Sequence, residues 1–144
     1  MKKEKKKLIF LVDDDALYLK SLEIEFLQCK EYEVKTFATG ELCIENLSLK
    51  PEIIVLDYLL DGINKNAIDG LKTLDRIKKN NQNIQVIILS AQDKIEVAVN
   101  CMKHNAFDYI VKSETATIRL KKAIATIFKN QKLENTLNWY MEKM

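Results

Sequence analysis

Three short runs of apolar residues, each ending on a polar side chain, constrain this chain more than any other feature. They are Leu8–Val12, Ile53–Leu56 and Val86–Leu89, and they are continuous rather than alternating. A strand with only one face in the core alternates; one covered by helices on both faces does not. Buried parallel strands are therefore expected at all three. Two further candidates, Tyr32–Phe37 and Phe107–Val111, mix polar with apolar residues and read as edge strands.

Amphipathic stretches fill the gaps. Ala16–Lys30 carries Leu19, Leu22, Phe26 and Leu27. Thr39–Leu49 carries Leu42, Ile44 and Leu47 and stops before Pro51. Gly70–Asn80 carries Leu71, Leu74 and Ile77. Gln92–Asn105 carries Ile95, Val99 and Met102, and a last helix is expected from Thr117 onward. Five strands alternating with five helices predict right-handed βα units. With the two mixed strands at the edges, the fold is a doubly wound, flavodoxin-like five-stranded parallel sheet of order 2-1-3-4-5, its last helix extended. Sites in such sheets lie at the carboxyl ends of the strands, where the chain reverses direction between the first and third strands.

Composition narrows the functional classes. With 47% hydrophobic and 31% charged residues, the 144-residue chain fits one ordinary domain and excludes wholesale disorder. No apolar run nears the ~20 residues that span a bilayer. The start MKKEKKK is too polar for a secretory signal, so a cytoplasmic protein without a membrane partner is expected. The net charge of +2 is segregated: residues 1–7 hold five Lys and one Glu, and residues 119–144 hold six Lys or Arg and two Glu, which leaves the body acidic. That balance argues against direct nucleic-acid binding by the core and suits holding a cation. Cys29, Cys43 and Cys101 are widely spaced without a CxxC pair and are expected as reduced buried thiols. The single His104 suits a surface helix end.

The strand ends carry the chemistry. The first strand runs into Asp13-Asp14-Asp15, the third ends at Asp57, the fourth at Ser90 before Ala91, and the fifth at Lys112. Each alone has a structural explanation: Asp15 as a helix N-cap, Asp57 in a turn, Ser90 as a cap, Lys112 in solvent. Together, at one rim, they form a complementary set. Closely spaced carboxylates repel unless a hard cation such as Mg²⁺ joins them. With charge neutralised, Asp57 is the best candidate for a nucleophile toward phosphorus, with an ammonium, a hydroxyl and a backbone N–H to take up charge on the transferring group.

The segments IFLVDDD, IIVLDY, VIILSA and FDYIVK, in this order, resemble the receiver domain of bacterial two-component response regulators over about residues 7–128. The resemblance implies a signalling switch in which a sensor histidine kinase or phosphotransfer protein donates a phosphoryl group to Asp57 in a Mg²⁺-dependent reaction. It implies metal ligation by Asp14 directly, by Asp13 through water, by Asp57, and by the Leu59 carbonyl. Ser90 and the Ala91 N–H would hold the phosphoryl group, Lys112 would pair with its oxygens, and Tyr109 would turn inward as Ser90 moves. A downstream protein partner would read the changed face. Only self-phosphorylation and autodephosphorylation chemistry is implied, not turnover of a separate substrate. Other readings are a Mg²⁺-dependent phosphatase using the Asp13/Asp15 spacing on the first strand, and a pseudo-receiver that is never phosphorylated.

Three departures stand out. The connection from Tyr58 to Asp69 is long and lacks proline, Ser113 rather than proline follows Lys112, and the chain continues past Phe128. The domain limits expected are a basic disordered arm (1–6), the receiver (7–128) and a helical extension (129–144), too short for a helix-turn-helix or an output enzyme, so the chain is a stand-alone receiver or one cut from a longer protein. In the extension, Leu133, Leu137, Tyr140, Met141 and Met144 share helical spacing, rotated away from Leu120, Ile124 and Ile127. A homodimer through the C-terminal helix is the expected use of that stripe.

Overall fold

A computed structural model describes residues 5–59 and 69–144. The strands are β1 (Lys7–Val12), β2 (Tyr32–Phe37), β3 (Ile53–Leu56), β4 (Gln85–Ser90) and β5 (Asp108–Val111). The helices are α1 (Ala16–Leu27), α2 (Gly40–Glu45), α3 (Gly70–Asn80), α4 (Ile95–Lys103) and α5 (Ala116–Lys143). All pairings are parallel and the order is β2-β1-β3-β4-β5, with the two mixed strands at the edges as the sequence predicts. Residues 1–4 of the basic arm and residues 60–68 of the long connection lie outside the described residues.

The continuous apolar runs divide by parity between two cores. Ile9, Leu11, Ile53, Val55, Ile87 and Leu89 pack with Leu22 and Phe26 of α1 and with Leu120, Ile124 and Ile127 of α5. Phe10, Val12, Ile54, Leu56, Val86 and Ile88 pack on the other face with Cys43, Leu74, Ile77 and Cys101 from α2, α3 and α4. Each fully buried side chain of this size contributes roughly 1.5–3 kcal/mol relative to exposure. A sheet sandwiched in this way keeps its strand ends fixed, and the site is built on them.

The helix starts are set by short polar side chains. Asp15 accepts from the Leu17 and Tyr18 N–H groups at 3.1 and 3.2 Å and starts α1. Thr39 accepts from Leu42 at 3.2 Å and Asp69 from Lys72 at 2.8 Å. Two helices differ from expectation. The stretch predicted as helical to Leu49 leaves α-geometry after Glu45. The Asn46 side chain donates to the Leu42 carbonyl at 2.7 Å, and a 3₁₀ turn over Leu47–Leu49 then runs to Lys50, which is left-handed (φ 60°) before Pro51. A side chain competing for backbone groups and a following proline both disfavour helix continuation. Helix α4 starts only at Ile95, and the stripe expected in the core faces outward: Ile95, Val99 and Met102 are exposed, whereas Cys101 is buried and Val97 half-buried. Apolar residues lie on both sides of this helix, so periodicity alone does not choose between them. Leu27 and Leu42, expected in the core, are also exposed.

Cys43 and Cys101 are buried free thiols, and burial pushes them up to about 12 and about 11; Cys29 is only half-buried. His104 ends α4, its Nδ1 2.7 Å from Asp75. No helix among the described residues is long and apolar enough to cross a membrane.

Candidate functional site

The sheet's hydrogen bonding runs one residue past three of the strands and fixes the backbone of the polar residues there. Asp13 N–H donates to the Phe37 carbonyl at 3.1 Å, Asp57 N–H to Val12 at 2.9 Å, and Lys112 N–H to Ser90 at 2.7 Å. Four strands thus deliver their terminal side chains to one rim through rigid backbone rather than through loops.

Three carboxylates meet there. One oxygen each from Asp13, Asp14 and Asp57 lies within 4.8 Å of the others, with Asp13 and Asp57 buried and Asp14 half-buried. Lys112 partly offsets their charge. Its Nζ sits 2.8 Å from Asp13 Oδ2 and 3.7 Å from Asp57 Oδ2, and lies 4.4 Å from the centre of the Tyr18 ring. The other Asp13 oxygen accepts the Asp15 N–H at 2.9 Å. Asp13, the nucleophile that a strand-one phosphatase would require, therefore has both oxygens engaged. Asp57 is held more loosely, by the Leu59 N–H at 3.5 Å.

The neighbours act on the protonation of Asp57. Burial, then the charge and hydrogen bond of Asp13, push the Asp57 carboxyl up to about 7, against the pull of Lys112 and the Leu59 N–H. Burial works against the Lys112 ammonium, but the Asp13 hydrogen bond and the charges of Asp57 and Asp13 outweigh it and raise its pKa. The arrangement holds a proton or a cation readily and leaves Asp57 less satisfied than Asp13. Clustered hard oxygens of this kind fit Mg²⁺. The Leu59 side chain is exposed.

Ser90 is completely buried at the end of β4, and its Oγ accepts the Gln92 N–H at 3.1 Å; Ala91 follows, exposed. Tyr109 is half-buried on β5. Its hydroxyl donates to the Gln92 carbonyl at 2.6 Å while its ring packs against the α2–α4 core. Ser90 and Tyr109 therefore grip the same residue, Gln92, from two strands. Among the described residues no peptide is cis, so Lys112–Ser113 is trans.

Two residues bear on the site without having been candidates. Tyr18 carries the ring beneath Lys112; its signal is position, one turn into α1 after the Asp15 cap. Gly70 opens α3 directly against the acceptor loop. Its N–H donates to the Tyr58 carbonyl at 2.9 Å, and a Cβ there would stand 2.5 Å from the Asp57 carbonyl oxygen.

The family profile of the response regulator receiver domain matches residues 9–125. Among curated proteins, an NtrX-like response regulator of Rickettsia felis is 36% identical over 117 residues, which is 78% of this chain and 24% of that protein. The transcriptional regulatory protein ZraR of Escherichia coli is 31% identical over 120 residues, 81% of this chain and 26% of that protein. The chain thus spans about a quarter of the length of these relatives. Among solved structures, the signal receiver domain assigned to a LuxO repressor of Vibrio parahaemolyticus superposes with a TM-score of 0.77 at 28% identity, covering 92% of this chain and 98% of that one.

Proposed function

The chain belongs to the response regulator receiver domain family, and from that premise we propose that it is a phospho-switch whose acceptor is Asp57. The observation that carries this reading is the unequal satisfaction of the carboxylates: Asp13 is engaged at both oxygens, while Asp57 is buried, weakly held and lifted to about 7. A sensor histidine kinase or phosphotransfer protein supplies the phosphoryl group. An Asp57 oxygen forms the new P–O bond as the donor's P–N bond breaks, and that bond's electron pair stays on the imidazole.

Asp13, Asp14, Asp57 and the Leu59 carbonyl would hold Mg²⁺, which supplies positive charge for the phosphoryl oxygens. The chain's own groups do the rest. Lys112, 3.7 Å from Asp57, moves from Asp13 toward the incoming oxygens. The Ser90 hydroxyl donates to the phosphoryl group in place of its present contact with Gln92, and the Ala91 N–H donates beside it. Because Tyr109 holds the Gln92 carbonyl, a shift of Ser90 disturbs that tether and releases the ring to turn inward. A modification acts only through such a difference between two states. The face of α4, β5 and α5, which exposes Ile95, Val99 and Ile118, then presents a changed surface to a downstream protein. This is self-modification chemistry in the cytoplasm, not turnover of a separate substrate.

Incubation with Mg²⁺ and acetyl phosphate, followed by intact mass, tests the reading. One added phosphoryl group is expected on the native chain and none on Asp57→Asn. Retained label on that variant would remove Asp57 from the role.

A further inference from the structure

Lys112 has a neighbour that the phosphoryl chemistry leaves unused. Its Nζ lies 4.4 Å from the centre of the Tyr18 ring, inside the ~6 Å at which a ring face attracts a cation. Lys7 over Phe128 at 5.4 Å and Lys143 over Trp139 at 5.7 Å make the same kind of contact, but both of those lysines are exposed. The Lys112 side chain is only 18% exposed, and Tyr18 is half-buried against the core that α1 and α5 share. Such contacts strengthen as water is excluded.

The backbone holds the ring in place. Tyr18 N–H donates to Asp15 Oδ1 at 3.2 Å, and Asp15 N–H donates to Asp13 Oδ1 at 2.9 Å. Asp13 Oδ2 in turn accepts from Lys112 at 2.8 Å. Asp13, Asp15, Tyr18 and Lys112 therefore close a circuit of contacts, three of them polar and one through the ring face. An ammonium has three N–H donors. A carboxylate claims one of them strongly, whereas a ring face attracts the charge as a whole and leaves donors for another acceptor.

We propose that Tyr18 is a positioning residue for phosphoryl transfer, its ring face keeping the Lys112 ammonium beside Asp57 once Asp13 serves the metal. The inference rests on Asp57 as the phosphoryl acceptor. In the metal-free arrangement the Asp13 contact alone fixes Lys112, and the ring adds little. When Asp13 turns to the metal, that contact weakens and the ring becomes the anchor on its side. The ring is then worth more in the transition state than in the ground state, which is the condition for an effect on rate. A ring that merely filled space between α1 and α5 would affect stability alone.

The rate of labelling by acetyl phosphate with Mg²⁺ tests it. In that reaction an Asp57 oxygen bonds to phosphorus as the P–O bond to acetate breaks, and acetate leaves with the electron pair. Tyr18→Leu should slow uptake about three- to tenfold, and Tyr18→Phe should restore most of the rate. Adding one, two and three fluorines to the phenyl ring of that variant should slow uptake stepwise, because fluorine drains the ring face at nearly constant size. In a Lys112→Met background, Tyr18→Leu should cost nothing more. With neither metal nor phosphodonor present, proton NMR should show the Lys112 ε-methylene protons shifted upfield by the ring in the native and Tyr18→Phe chains but not in Tyr18→Leu. A labelled native chain whose rate ignores fluorination overturns the inference and leaves Asp57 as the acceptor. So does an undiminished cost of Tyr18→Leu without Lys112, or a Lys112 signal that Tyr18→Leu leaves in place. A native chain that takes no label overturns both readings.

Discussion

Replacing Asp57 by Asn is expected to stabilise the folded chain in metal-free buffer above neutral pH, although it removes the proposed acceptor. Burial and Asp13 lift this carboxyl from 3.8 to about 7. Between those values the folded protein holds a proton that the unfolded chain has released, so stability falls as pH rises through the window and the full penalty stands above it. The whole shift would be worth roughly 4 kcal/mol at 1.36 kcal/mol per pH unit. The variant also gives up the attraction between Lys112 and Asp57 across 3.7 Å, which reduces the expected gain to about 1–2 kcal/mol. An amide at 57 carries no charge and can donate to Asp13. Urea unfolding of both proteins in EDTA, near pH 5 and near pH 8, measures the difference. The native chain should weaken between the two conditions relative to the variant. Added Mg²⁺ should then stabilise the native chain more than the variant, by mass action on the intact carboxylate cluster. Equal pH dependence, or a variant less stable near pH 8, would show that Asp57 is not strained by its neighbours.

Gly70→Ala forces a methyl group within 2.5–2.7 Å of the Asp57 and Tyr58 backbone, which cannot swing aside as a flexible side chain would. A loss of about 1–3 kcal/mol is expected in urea unfolding, together with slower uptake of label; unchanged stability would contradict the close approach. Lys112→Met should lower phosphoryl uptake about 100-fold while tightening Mg²⁺ binding, because a competing cation leaves Asp13. A parallel loss of both, read by labelling and by calorimetric titration, would point to misfolding instead. Tyr109→Phe removes the 2.6 Å bond to Gln92 and should cost about 0.5–1.5 kcal/mol in the unfolding midpoint; no change would mean that the tether does not hold the loop after β4.

The sheet was legible because its strands are buried on both faces. Leu8–Val12, Ile53–Leu56 and Val86–Leu89 could not alternate, and the parity split into two cores follows from that. The rim was legible for a related reason: each continuous apolar run stops abruptly at a polar side chain, so Asp13, Asp57, Ser90 and Lys112 mark the strand ends. Helix faces were harder to read. Helix α4 carries apolar residues on two sides, and only its packing shows that Val97 and Cys101, not Ile95 and Val99, face the core. The roles of Tyr18 and Gly70 depend on distances between segments that sequence spacing does not encode: a ring 4.4 Å from an ammonium, and a backbone approach with no room for a Cβ.

The rim also explains why the fold tolerates a costly group there. Ser90 and Asp13 are buried but engaged, and no buried polar side-chain atom among the described residues lacks a hydrogen-bond partner. The residual strain is thus electrostatic and concentrated on Asp57, the group with the longest contacts and the raised pKa. A site whose acceptor were fully paired would be more stable but would gain less from a cation or a phosphoryl group. Strain held on rigid strand ends is released only by ligands that bring positive charge or new acceptors to that one carboxylate. That links the stability difference expected for Asp57→Asn to the switch itself: the free energy missing from the metal-free fold is free energy that Mg²⁺ binding can recover.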